Sequence, residues 1–282
     1  MDFQFASLLT FSIILCIGVF VQSAAGFAAG LLIIPALLWF GLAIPEAQAS
    51  LLVATIPQNV WGVYKFHASV DRREILLPAI LRLSFLPVGM GVLVLLEALP
   101  PTLLRQIVGA ILLLVTLAIA CLHPRPRARL HQGWSMLAFS VSGFLQGLVG
   151  MGGPAMVLWV QAHDWDTRRS RGFLFSMYLV SLAPAMLGLS LLFGNRILIP
   201  SLATALLTPL LLWITSLGLR FGTWLGRRRL RRATLAMLLL MGLTGVVEPF
   251  ISRRPTPAQT AVDPAAESSL PEKSSASAPE IP

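Results

Sequence analysis

The dominant constraint on this chain is a succession of ten apolar stretches, at about residues 5–24, 28–42, 47–66, 75–96, 102–122, 133–149, 153–162, 172–193, 197–219 and 233–250. A helix needs about 20 apolar residues to cross the hydrocarbon of a bilayer, and eight of these stretches have that length; those at 28–42 and 153–162 are short. Within lipid each backbone donor and acceptor must be satisfied inside the protein, which makes the helix the structure for such a run. Only 12% of the residues are charged, about half of what a soluble domain carries. A water-soluble enzyme and a disordered chain are both excluded. Cys16 and Cys121 lie in apolar runs, so a disulfide scaffold is excluded too. The first run lacks a charged leading segment and a clear cleavage site, and it reads as a retained span rather than a signal peptide.

The two short stretches each follow a longer one across a glycine-rich break. The first break reads Gln22-Ser23-Ala24-Ala25-Gly26-Phe27-Ala28-Ala29-Gly30, the second Gln146-Gly147-Leu148-Val149-Gly150-Met151-Gly152-Gly153-Pro154. At an offset of about 124 residues Phe20 falls on Phe144, Gln22 on Gln146 and Gly26 on Gly150, and Trp39 and Trp159 follow at similar distances. The pattern reads as an internal duplication. The expected fold class is therefore an all-α integral membrane protein with about eight transmembrane helices plus two half-helices in two inverted repeats. Residues 1–122 form the first repeat, 123–132 a cytoplasmic linker, 133–252 the second repeat and 253–282 a disordered tail of Pro, Ala, Ser and Glu.

The net charge of +9 does not point to nucleic acid, because the basic residues sit in short clusters between apolar runs. Such clusters mark the cytoplasmic side of a membrane protein. If each broken unit crosses the bilayer once, the basic loops divide evenly between the two faces. If each unit enters and returns, four clusters share one face: Lys65/Arg72/Arg73, Arg125/Arg127/Arg129, Arg168/Arg169/Arg171 and the run from Arg220 to Arg232. Arg196 and the pair Arg253/Arg254 fall on the other. The second arrangement predicts a multi-pass protein of the bacterial inner (cytoplasmic) membrane with both termini periplasmic, its bases meeting anionic lipid.

Irregular backbone at membrane depth is tolerated where it lines a cavity. Two breaks in matching positions therefore mark a candidate midplane site, with half-helices beginning at about Ala28 and Gly153 whose N-termini favour an anion. The candidate substrate-binding residues are Gln22, Ser23, Gly26, Gln146, Gly150, Gly152 and Gly153, joined by Gln58 and Asn59 beside the helix-breaking Pro57. All are neutral donors or glycines, a set suited to binding that must also release. The competing account is packing: Gly26-xxx-Gly30 and Gly218-xxx-Gly222-xxx-Gly226 are patterns of close helix contact. Arg82, inside a span but toward its cytoplasmic end, reads as a residue snorkelling to the interface. Arg105 and Glu248 read as interfacial residues, and His163-Asp164-Trp165-Asp166 as a solvated loop. No catalytic residue, cofactor or metal set is expected, and no nucleotide-binding motif is present.

These motifs resemble the TauE/SafE family, the sulfite exporters or 4-toluene sulfonate uptake permeases. The likeness rests on Gly26-Phe27-Ala28-Ala29-Gly30-Leu31-Leu32-Ile33-Ile34-Pro35, on Gly147 to Pro154, and on Val70-Asp71 followed by Pro87-x-Gly89-x-Gly91, and it covers about residues 5–250. In the first motif Ala28 and Ala29 stand where the family often has glycine. The resemblance implies a secondary transporter for sulfite, a sulfonate or a related organosulfur anion. Its expected partners are that small anion and the lipid bilayer. The alternatives are a membrane enzyme using His163, Asp164 and Asp166, or a membrane scaffold without a cavity.

Overall fold

A computed structural model describes residues 2–25, 28–121, 130–225, 236, 238–240 and 242–243. Gly26, most of the 123–132 linker and the 253–282 tail lie outside the described residues. Among the described residues the structure is all-helical, without a strand. In chain order the helices are α1 (Asp2–Ala25), α2 (Ala29–Trp39), α3 (Ile44–Phe66), α4 (Arg72–Leu96) and α5 (Pro101–Cys121). They are followed by α6 (Gln132–Val149), α7 (Gly153–Gln161), α8 (Thr167–Phe193), α9 (Leu198–Leu206) and α10 (Thr208–Leu225). Polar residues between the apolar runs start α4 and α8. Asp71 accepts a hydrogen bond from the Arg73 amide at the head of α4, and Asp166 accepts one from the Arg169 amide at the head of α8, each at 3.0 Å.

Three stretches are long and apolar enough to cross a membrane, Arg73–Leu96, Thr102–Cys121 and Arg168–Leu206, alongside the shorter apolar helices Leu8–Ala24 and Ala29–Trp39. Their outer faces carry Leu95, Leu114, Leu191, Ile199 and Leu206, between 72% and 83% exposed. A water-soluble protein seldom bares so much apolar surface; lipid tails would cover it at no cost. Helix α3 is as long as these, but its buried Gln48, Ser50, Gln58 and Asn59 give it a polar inward face.

At both breaks the chain turns back on itself. A β-carbon on Gly18 of α1 would collide with Ile33 of α2, and in the second break the rings of Phe139 on α6 and Trp159 on α7 stand 5.0 Å apart. Gly150 makes the second turn with φ of 69°, its amide bonded to the Gln146 carbonyl and the Met151 amide to that of Leu145. At the first break Ala28 adopts φ of 95°, a conformation that costs a residue with a β-carbon about 1–2 kcal/mol. The two breaks then meet: a β-carbon on Gly30 would lie 2.6 Å from the carbonyl oxygen of Gly150.

Two glycine seams hold the helices around this junction. Gly89 of α4 lies against the Phe144 carbonyl, and Gly147 and Gly143 of α6 lie against the carbonyls of Leu86 and Arg82. Between α1 and α10, a β-carbon on Gly218 would sit 2.7 Å from both the Phe20 carbonyl oxygen and the Ser23 side chain. Phe20 and Ser23 are the residues that the 124-residue offset places on Phe144 and Gly147. Ion pairs tie the loops at either end. Arg196, between α8 and α9, reaches Glu97 at 2.8 Å and Glu46 at 3.8 Å, while Arg169 pairs with Glu74.

Candidate functional site

Arg82 lies ten residues beyond the start of α4, or about 15 Å along its axis, which is half the thickness of a ~30 Å hydrocarbon core. It is 1% exposed, and the expectation of a snorkelling residue is corrected. Among the described residues its guanidinium is held by neutral groups only. Nη1 donates to Ser142 Oγ at 2.6 Å and to Met156 Sδ at 2.7 Å, and Nη2 donates to Gln146 Oε1 at 3.2 Å. The ring of Tyr178 covers it, with 5.8 Å from the guanidinium carbon to the ring centroid. Nε has no partner. Ser142 in turn donates to the Gly152 carbonyl at 2.5 Å, so the cation is fastened to the second break itself.

Arg82 faces a cavity open at its mouth, formed where the two breaks meet. Gln22 of α1, Ala28 to Leu31 of the first break, Thr55 and Asn59 of α3, Gln146 and Gly150 of the second break, and Ser181 of α8 share its wall. Pro57 and Pro184 interrupt the hydrogen bonding of α3 and α8 close to these positions. Arg82 is the one charged side chain among the described residues of the lining, and no carboxylate among them pairs with it. A cation taken out of water without a counter-ion is held at a cost of several kcal/mol. The cavity therefore has a standing electrostatic demand for a negative charge.

A family model described as "Sulfite exporter TauE/SafE" matches residues 10–244. The chain belongs to the TauE/SafE sulfite exporter family. The match runs through both breaks and the whole cavity lining. No curated protein and no solved structure gives a significant match.

In this TauE/SafE chain the structure brings some of the expected site residues together and not others. Gln22, Asn59, Gln146, Gly150 and Gly153 line the cavity. Ser23 turns its hydroxyl back to the Val19 carbonyl at 2.7 Å, and Gly152 contributes its carbonyl to Ser142 instead of lining the space. Gln58 is buried beside the cavity wall with both amide atoms unpartnered. Gly26 lies outside the described residues. Arg82, which was not among the expected site residues, joins these neutral groups in the lining. Thr55, Ser181 and Tyr178 also escaped the sequence reading; Thr55 donates its hydroxyl to the Leu51 carbonyl and Ser181 to that of Met177, each at 2.9 Å, so both line the space while bonded to their own helix.

The loop at 163–166 has structural work. His163 Nδ1 donates to the Trp159 carbonyl at 3.0 Å, and its ring packs 4.1 Å from that of Trp159 and 4.6 Å from that of Trp165, between centroids. Asp166 caps α8. This use of the side chains does not favour the membrane-enzyme alternative.

Proposed function

We propose that this protein is a secondary transporter of a small anion, sulfite or a sulfonate in chemical class, which binds between the two breaks against Arg82. The observation that carries the reading is the buried guanidinium facing the cavity with no counter-ion among the described residues. Around it, the side-chain amides of Gln22, Asn59 and Gln146 from α1, α3 and α6 are positioned to replace part of the anion's hydration shell, and the α2 and α7 N-termini add favourable dipoles. Arg82 supplies the affinity, and its bonds to Ser142, Met156 and Gln146 keep it in place as ligand arrives and leaves.

The finer architecture follows as part of the proposal: about eight spans, two re-entrant half-helices and two inverted repeats, with both termini outside the cytoplasm. The ion pairs support it. If each broken unit crossed outright, Arg196 would lie at the opposite face from Glu97 and Glu46, and Arg169 opposite Glu74. The recurrence of one glycine seam at both repeats supports the duplication, with residues 1–122 and 133–252 as its halves. Interrupted helices meeting near the midplane are a common transporter plan.

The deciding experiment is flux of labelled sulfite, sulfonate and chloride into proteoliposomes containing the full chain. Saturable sulfite or sulfonate flux that disappears in Arg82→Gln supports the proposal. Equal flux in protein-free liposomes refutes it.

A further inference from the structure

We propose that the cavity selects singly charged oxyanions over doubly charged ones of similar size, because its lining holds a single cation among the described residues, Arg82 of the first half. This inference rests on the reading that the cavity binds the transported anion. The seams set the register between the halves. Gly89 meets Phe144 and Gly147 as Gly218 meets Phe20 and Ser23. Seven residues before each glycine, on the same face two helical turns away, stand Arg82 on α4 and Leu211 on α10. Both are 1% exposed. Where the first repeat places a guanidinium, the second places an isobutyl group.

The charge balance follows from the lining. Arg82 neutralises one negative charge. The rest of the described lining includes Gln22, Thr55 and Asn59 together with Leu31, Leu51 and Leu52, which hold neutral or apolar atoms but no second charge. A dianion entering this space would keep one charge desolvated and unpaired, the situation that buried sites penalise most. A monoanion whose remaining substituent is a hydroxyl or a carbon group matches the wall. The site accordingly takes hydrogen sulfite or an organosulfonate and rejects sulfate and the sulfite dianion.

The test compares methanesulfonate, a monoanion throughout the working pH range, with sulfate, a dianion of similar size, by titration calorimetry on the purified full-length protein in nanodiscs. Methanesulfonate should bind at least about tenfold more tightly. Affinity for total sulfite should fall as pH rises through its second ionisation, while that for methanesulfonate stays level. Sulfate binding as tight as methanesulfonate overturns the inference and leaves the anion-transporter reading standing. Absence of binding by every anion overturns both.

Discussion

Replacing Arg82 with glutamine should move stability and binding in opposite directions, and this pairing separates a ligand-binding cation from a structural one. In the unliganded protein the guanidinium is buried with neutral partners, and removing a buried charge that lacks a counter-ion relieves a desolvation cost of several kcal/mol. Part of that gain is returned, since Ser142, Gln146 and Met156 lose a donor, at about 1 kcal/mol for each neutral bond that the new amide cannot replace. The net expectation is an unliganded protein as stable as wild type or more so. Binding should respond the other way. A hydrogen bond to a charged ligand contributes about 1.5–3 kcal/mol, so the loss of one such bond weakens affinity by roughly 10- to 150-fold. The assay is thermal unfolding in detergent with and without methanesulfonate. At a hundred times its Kd a ligand stabilises the native state by about 2.7 kcal/mol. Wild type should show that shift, and Arg82→Gln should show little of it while melting at or above the unliganded wild type. If the variant melts well below wild type and still gains the full shift from the anion, Arg82 is a packing residue and the reasoning fails.

Gln146→Ala should weaken anion affinity about tenfold through loss of its own contact and of its hold on Arg82 Nη2, with detergent-solubilised yield unchanged; a fall in yield at constant affinity would assign Gln146 to helix tying alone. Gly89→Ala should destabilise the protein by about 1–3 kcal/mol, because its β-carbon meets the Phe144 backbone, and a melting temperature equal to wild type would contradict the close seam. In a background lacking Cys16 and Cys121, a membrane-impermeant thiol reagent should label Asn195→Cys in intact cells and Asp164→Cys only after permeabilisation. Both positions are exposed, and the reverse pattern would invert the topology.

The breaks were legible because their chemistry is unusual for lipid: runs of glycine preceded by glutamine cannot continue an apolar helix cheaply, and α2 and α7 begin at Ala29 and Gly153, within a residue of expectation. The offset pairing Phe20 with Phe144 was also legible, and it reappears as the partner of each seam glycine. Arg82 was not. Its position near one end of an apolar run depends on where the run is counted from, and α4 begins at Arg72, which carries Arg82 deeper. Its acceptors Ser142 and Met156 are more than fifty residues away in sequence, and no local pattern announces a contact of that separation. Gln58 shows the converse: the polar residue was visible, but its placement beside the cavity wall is set by the helix rotation that packing decides.

Taken as the two halves proposed above, residues 1–122 and 133–252 exchange seams, and this bears on how the chain is made. Helix α4 presses its glycine face on α6, and α1 reserves its matching face for α10. Neither half closes its own seam. As the ribosome delivers the chain from its N-terminus, α1 must wait in the bilayer through the synthesis of almost two hundred further residues before Gly218 arrives to cover it. The Arg82 guanidinium, likewise, enters lipid before Ser142, Gln146 and Met156 exist to receive it. Until then the first half is an insertion intermediate with a bare charge and two open grooves, so expressing residues 1–121 alone should yield a fragment that is degraded unless the second half is supplied in trans.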